Sequence, residues 1–337
     1  MNGYQAPWWL GGGGTIGGHA QTIWSALRAS SWEGSRPRFA RERWQTPDGD
    51  FIDVDWLDEG SPHERAGASE PDTRPLLVLF HGLEGSSSSP YSLAFADRAR
   101  RLGWRFAMPH FRGCSGEINL RPRAYHSGDH EEIGWMLGRF RAAHSGALHA
   151  AGVSLGGNAV LRWAGEVGSS ASQVVDAIAA VCSPLDLAAG GHAIGRGFNR
   201  LVYNRMFLGT MRPKALAKLA QFPGLFDRAR LMAARDLHDF DDCFTAPLHG
   251  FRDVDDYWQR ASSIGHLGDI RVPALVLNAL NDPFVPASSL PRQAPSGWVR
   301  LSQPTQGGHV GFPHGCFPAD VREMPARVTH WLSQPST

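Results

Sequence analysis

The hydrophobic positions of this chain fall into two alternating patterns. Leu76-Leu77-Val78-Leu79-Phe80 is a continuous apolar run of strand length, which suits a strand buried on both faces of a parallel sheet. Arg105–Pro109, Ala147–Val153, Val174–Val181, Ala274–Ala279 and Trp298–Leu301 read as further strands. Between them the spacing becomes helical. Ile133, Met136, Leu137 and Phe140 fall at i, i+3, i+4 and i+7. Pro90–Leu102 predicts a helix stopped by Gly103, Asn158–Glu166 another, and Arg327–Leu332 a last one after Pro325. Strands alternating with helices imply an α/β fold: a mostly parallel central sheet flanked by helices. Ahead of it, Phe39–Trp44 and Phe51–Trp56 read as two strands around the turn Pro47-Asp48-Gly49. A Trp- and Gly-rich lead, Pro7 to Trp24, precedes them, and the polar stretch Glu59–Arg74 reads as a surface loop.

The rhythm breaks from Leu187 to Tyr257. Phe198–Leu208, Lys214–Phe222 and Ala229–Leu237 have helical patterns, and no convincing strand lies among them. This segment, about 187–257, reads as a helical cap inserted over the strand ends. The expectation is one domain over 1–337, with an N-terminal arm of about 1–38. A length of 337 residues also permits two domains, but α/β folds of this size often form one.

Composition narrows the function classes. Lys+Arg is 33 and Asp+Glu is 32, so overall charge gives no case for nucleic acid or an anionic membrane. Cys114, Cys182, Cys243 and Cys316 have no paired spacing, which argues against a disulfide framework or a cysteine zinc site. Met1–Trp9 lacks a secretory pattern, and no apolar run reaches the ~18 residues of a spanning helix. A cytoplasmic location is expected, and the oligomeric state is left open.

The strongest chemical signal is Gly152-Val153-Ser154-Leu155-Gly156, between a predicted strand and a predicted helix. That context fits a nucleophile elbow, in which a serine sits on a strained turn at a helix N-terminus. The bland reading is a Gly-flanked turn with a serine N-cap. A serine nucleophile needs a base, and His309 in Gly307-Gly308-His309-Val310-Gly311 follows the last predicted strand. The acid should follow a late strand, which selects Asp282 in Asn281-Asp282-Pro283 over the rival Asp186. Two backbone N–H groups should hold an oxyanion, those of Leu155 and of Leu83 in His81-Gly82-Leu83-Glu84-Gly85. His110-Phe111-Arg112-Gly113 also follows a strand. Arg112 could clamp an anionic substrate, but more often such an arginine braces a loop.

Together these segments resemble the YheT-like branch of the α/β-hydrolases, the AB hydrolase 4 family. The likeness rests on Gly18-His19-Ala20-Gln21-Thr22, His81–Gly85, His110–Glu117, Tyr125–Gly128, Gly152–Asn158, Asn281–Phe284 and Gly308–Phe312. The resemblance implies an α/β-hydrolase fold and a Ser-Asp-His triad at Ser154, Asp282 and His309, with carboxylester hydrolysis as the activity. Members often carry an acidic pair before the proline, where this chain has Asn281. No chemical role follows for His19 or Gln21.

The expected function is a serine hydrolase that cleaves small acyl esters through an acyl-enzyme, without metal or organic cofactor. The apolar cap residues Phe198, Tyr203, Met206 and Phe207 suggest an uncharged short or medium acyl group, or simply the cap's own core. A lipase, a phospholipase or an acyltransferase could use the same triad, and a non-catalytic binding protein could use the same scaffold.

Overall fold

A computed structural model describes residues 3–58 and 72–335. The expected loop at Glu59–Arg74 therefore lies, up to residue 71, outside the described residues. The eight strands are β1 (Phe39–Gln45), β2 (Phe51–Leu57), β3 (Leu76–Phe80), β4 (Arg105–Pro109), β5 (Leu148–Val153), β6 (Ala177–Val181), β7 (Ala274–Leu277) and β8 (Val299–Ser302). They form one sheet in the order β1-β2-β4-β3-β5-β6-β7-β8. β2 runs antiparallel to both β1 and β4, and every other pairing is parallel.

Strand β3 shows why the apolar run is continuous. Leu76, Val78 and Phe80 enter the core on one face, while Leu77 and Leu79 enter the core on the other. All five are fully buried. A polar residue on either face would leave an unpaired group in a dry layer. Helices α3 (His130–Ala143) and α4 (Leu155–Val167) cover the first face. Helix α2 (Pro90–Leu102) and a C-terminal helix (Glu323–Ser333) cover the second. In α3 the four residues at helical spacing, Ile133, Met136, Leu137 and Phe140, all point into the core.

Three departures from the sequence pattern have physical causes. Residues Gly14–Leu27 form a helix, α1, in the Trp- and Gly-rich lead to which the sequence pattern assigns no element. Glycine disfavours helix locally, but here packing decides: a Cβ on Gly18 would lie 1.9 Å from the carbonyl oxygen of Asn281. Second, residues 168–173 wind into a tight turn, so β6 begins at Ala177 and not at Val174. Third, helix continues from Gly197 through wider turns at 200–204 into Arg205–Gln221, passing through Pro213. The segment between β6 and β7 is otherwise built of α5 (Leu187–Ile194) and short helices, among them Val254–Ala261 and a tight helical turn at Ile264–Asp269. Trp258 and Tyr257 pack with Leu187 and Leu237, and Leu208 with Phe240 and Phe244.

Arg112 is a brace. Its guanidinium donates to Glu132 at 2.6 Å, Asp48 at 2.8 Å and Asp50 at 2.9 Å. Asp50, fully buried, also accepts the N–H groups of Phe51, Leu120 and Arg121. This ties the β1–β2 turn to the loop that follows β4. His81, at the end of β3, is likewise buried and accepts the N–H of Phe111 at 3.0 Å on Nε2. Its Nδ1–H donates to Gly82 O at 2.7 Å, and burial pushes its pKa down to about 3.

Both braces can be tested by stability. Arg112→Met leaves three carboxylates without their cation and should cost about 3–5 kcal/mol, read as a lower urea midpoint. His81 stays neutral in the folded chain, while the unfolded chain takes up a proton near pH 6.5. Its share of stability is therefore present above about pH 6.5 and lost as pH falls. The stability gap between the wild type and His81→Gln should narrow by up to about 1.4 kcal/mol per pH unit from pH ~6 to ~4. A constant gap would remove the neutral assignment.

Candidate active site

The C-terminal edge of a parallel sheet is where loops from several strands converge. Here the loops after β3, β5, β7 and β8 do so. Ser154 follows β5 directly, with φ 52° and ψ −119°, and its N–H donates to Val181 O at 2.8 Å. A positive φ on a non-glycine residue stores strain, and the surroundings must enforce it. Gly156 permits the close passage: a Cβ there would lie 2.5 Å from His81 O. The helix α4 begins at Leu155, so the serine hydroxyl sits at a helix N-terminus.

The structure brings together the three side chains selected from the sequence. His309 Nε2 lies 3.0 Å from Ser154 Oγ, and His309 Nδ1 lies 2.9 Å from Asp282 Oδ2. An ionised Asp282 can only accept, so Nδ1 carries the proton and Nε2 is free to accept from the hydroxyl. Asp282 is itself fixed, because its Oδ1 accepts the N–H groups of Phe284 at 2.8 Å and Val285 at 3.2 Å. Its side chain is fully buried. The Phe284 ring covers the imidazole at 4.3 Å between centroids. Asp186 is elsewhere engaged, capping α5 through Ala189 N–H at 3.0 Å.

The loop carrying Leu83 passes close to the serine. A Cβ on Gly82 would lie 3.2 Å from Ser154 Cβ. Tyr91 and Tyr125 steady this loop: the N–H of Gly82 donates to Tyr91 Oη at 3.0 Å and that of Glu84 to Tyr125 Oη at 3.2 Å. Among the described hydrogen bonds, the backbone N–H groups of Leu83 and Leu155 have no protein acceptor.

Sequence reasoning assigned no role to Gln21 and Thr22, yet both hold the loop of His309. Gln21 Oε1 accepts the N–H of Gly307 at 2.8 Å and an Asn281 amide N–H at 2.9 Å. Asn281 Oδ1 accepts the N–H of Gly308 at 3.0 Å, and Thr22 Oγ1 accepts the N–H of His309 at 2.8 Å. An amide at position 281 donates and accepts at once, which an aspartate there could not do. Cys182, with φ 50°, completes the clamp by accepting the N–H of Val310 on Sγ at 3.2 Å. The only hint of α1's role in the sequence was the Gly18–Thr22 motif.

Cys182, Asp282 and His309 also place three possible metal-ligating atoms within 4.8 Å of one another. They do not make a convincing metal site. Burial and the nearby Asp282 hold the Cys182 thiol protonated, and Asp282 is already committed to three N–H donors.

A cavity opens beside Ser154 and His309, with an empty volume of about 1140 Å³ including its open mouth. Leu83, Leu187, Ile194, Phe207, Phe244 and Trp258 give it apolar walls. The charged groups at its walls already have partners. Lys214 pairs with Glu84 at 2.8 Å, and Lys218 donates to the carbonyls of Asn119 and Arg121, both at 2.7 Å. Asp241 accepts from Thr245 at 2.6 Å and Trp258 at 2.9 Å, and burial pushes its pKa up to about 6. Of the four apolar residues suggested for an acyl site, Phe207 lines the cavity and Tyr203 packs on Phe284. Phe198 and Met206 face solvent instead.

Known proteins share this architecture. Residues 75–314 match the family model described as the α/β hydrolase fold. The YheT protein of Escherichia coli (strain K12), which carries an esterase designation, is 36% identical over 296 residues, covering 87% of this chain and 84% of its own. The phospholipase ABHD3 of Mus musculus is 31% identical over 292 residues, covering 85% and 69% respectively. The solved α/β-hydrolase domain-containing protein 10 from mouse superposes with a TM-score of 0.54 at 12% identity, covering 88% of this chain and 100% of that one. An eight-stranded sheet of this topology, a family match over most of the chain and a relative of more than one-third identity lead to one statement: the chain belongs to the α/β-hydrolase family, in its YheT-like branch.

Proposed function

We propose that this protein is a serine hydrolase of carboxylic esters, with Ser154 as nucleophile, His309 as base and Asp282 as the acid that orients it. The observation that carries the reading is the unbroken Ser154–His309–Asp282 hydrogen-bond relay on a strained turn. His309 Nε2 takes the hydroxyl proton as Ser154 Oγ bonds to the ester carbonyl carbon, and the carbonyl π pair moves onto oxygen. The N–H groups of Leu83 and Leu155 stabilise that oxyanion. Collapse breaks the ester C–O bond, and the leaving alkoxide takes the proton back from His309. Water then repeats the sequence on the acyl-enzyme and releases the acid.

The substrate class proposed is uncharged short- or medium-chain acyl esters. The cavity supports it: its walls are apolar, and its charged groups already have protein partners, so a charged acyl tail would find no ready counter-ion. The helical segment between β6 and β7, which supplies Phe207, Phe244 and Trp258, acts in this reading as the cap over the acyl group. The esterase and phospholipase designations of the relatives agree on ester cleavage.

Ser154→Ala should lower p-nitrophenyl ester hydrolysis by at least about ten-thousand-fold and abolish labelling by a fluorophosphonate probe, with an unchanged melting profile. His309→Ala should do nearly as much damage, and Asp282→Asn should cost about ten-thousand-fold through the wrong tautomer. Asp186→Asn should leave turnover intact, and the reverse result would reassign the acid. Gln21 and Thr22 are positioning residues in this scheme. Gln21→Leu and Thr22→Val should each lower kcat about tenfold to a hundredfold with little change in KM. Steady-state kinetics that show only a KM effect would move their role away from the imidazole.

A further inference from the structure

The stretch after α5 has an unusual surface. Its backbone is helical from Gly197 to Gln221, and its inward side chains are held firmly. The Asn199 amide donates to Pro283 O at 2.6 Å, that of Asn204 to Arg235 O at 2.8 Å, and Tyr203 packs on Phe284. Its outward side chains stay largely in water. Phe198, Leu201, Val202 and Met206 are 49%, 66%, 38% and 55% exposed. The neighbouring helix α1 meets this segment through His19, whose ring lies 4.7 Å from Phe198 and whose Nδ1 shares a hydrogen bond with Tyr203 Oη at 3.1 Å. One turn before His19, Ile16 is 84% exposed, and Trp8 just upstream is 89% exposed. Folded chains seldom leave so many large apolar groups in water without a use for them.

Charge identifies the occupant. From Leu187 to Phe226 there is no Asp or Glu, while Arg196, Arg200 and Arg205 stand exposed among the apolar residues. None of the three is in an ion pair among the described residues. The overall balance of 33 basic and 32 acidic residues hides this local excess. Apolar side chains interleaved with unpaired arginines suit the interface of an anionic bilayer, where the former enter the acyl boundary and the latter meet phosphates. A second copy of this chain meeting the same face two-fold symmetrically would set these arginines against one another, since residues 187–226 carry no acid. No helix among the described residues is long and apolar enough to cross a membrane, so the contact is a surface one.

We propose that the exposed face of residues 196–206 docks on anionic phospholipid surfaces. The same face lies close to the proposed chemistry. Rings step from Phe198 to Tyr203, to Phe284 and to His309 at 6.2, 4.5 and 4.3 Å, and Phe207 lines the cavity one residue after Met206. Docking there brings the cavity to esters dissolved in the bilayer. The surface contact itself does not depend on the hydrolase reading, so it is measured by binding.

The test is co-sedimentation of the full chain with vesicles of phosphatidylcholine alone or with a minority of phosphatidylglycerol. Ser154→Ala is run in parallel and should bind like the wild type. The wild type should pellet with the anionic vesicles, less with the neutral ones, and less again at high salt. Replacing Arg196, Arg200 and Arg205 together by alanine should weaken binding about a hundredfold. Leu201→Ser with Met206→Ser should weaken it on both vesicle types. Both variants should hydrolyse a short water-soluble ester at the wild-type rate, which shows that they fold. Absence of vesicle binding, or binding that these variants leave unchanged, overturns the proposal. So does sedimentation analysis in which the face joins two copies of the chain and vesicles do not compete.

Discussion

One hydrogen bond closes a loop of 155 residues: His309 Nε2 to Ser154 Oγ at 3.0 Å. Such a contact is stable only if both ends are already in place, since ordering a free loop costs more than one hydrogen bond returns. The serine end is set by the sheet. β5 pairs with β3 and β6 over its length, and the strained turn is locked by Ser154 N–H to Val181 O. The histidine end has no such strand, because β8 stops at Ser302. Its backbone is held instead by side chains, Gln21, Thr22, Asn281 and Cys182, each accepting an N–H from the loop. Helix α1 thus functions as part of the site's frame, although it lies at the other end of the chain.

Much of the frame could be read from the sequence, because local patterns carry it. The double-sided burial of β3 shows as an uninterrupted apolar run, and the core face of α3 as helical spacing. Ser154, Asp282 and His309 stand after strand ends in a chain order that topology constrains, so the sheet order brings their loops to one edge. The holding residues are another matter. Gln21 and Gly307 are 286 positions apart, and a glutamine before a threonine has no local pattern that names its acceptor or donor. Helix α1 was obscured for a related reason: Gly14, Gly17 and Gly18 lower helix propensity, while the contact that needs a glycine, at Asn281, is far along the chain.

The helical segment between β6 and β7 shows a further limit of periodicity. Phe198, Tyr203, Met206 and Phe207 look alike in the sequence, as apolar residues of one amphipathic stretch. Two turn inward, to Phe284 and to the cavity, and two turn outward. The wider turns at 200–204 rotate the rest of the helix about its axis, so spacing alone cannot assign the faces. Hydrophobicity reports a preference to leave water, not which of two available non-aqueous surroundings receives the side chain.

The distribution of charge separates the interior of this molecule from its rim. Near the cavity every cation has found an acceptor: Arg112 has three carboxylates, Lys214 has Glu84, and Lys218 has carbonyls and is nevertheless pushed down to about 8 by burial. A low-dielectric wall enforces such pairing, since an unpaired charge there costs several kcal/mol. At the rim, water solvates Arg196, Arg200 and Arg205, and nothing forces them to pair. The availability of charge to a ligand therefore divides along the same line. Inside, the charged groups are engaged with protein partners; outside, the arginines retain their field, which reaches about a Debye length, roughly 8 Å, into the solvent. The proposed substrate and the proposed docking surface draw on these two regions separately, an uncharged acyl body on the first and an anionic surface on the second.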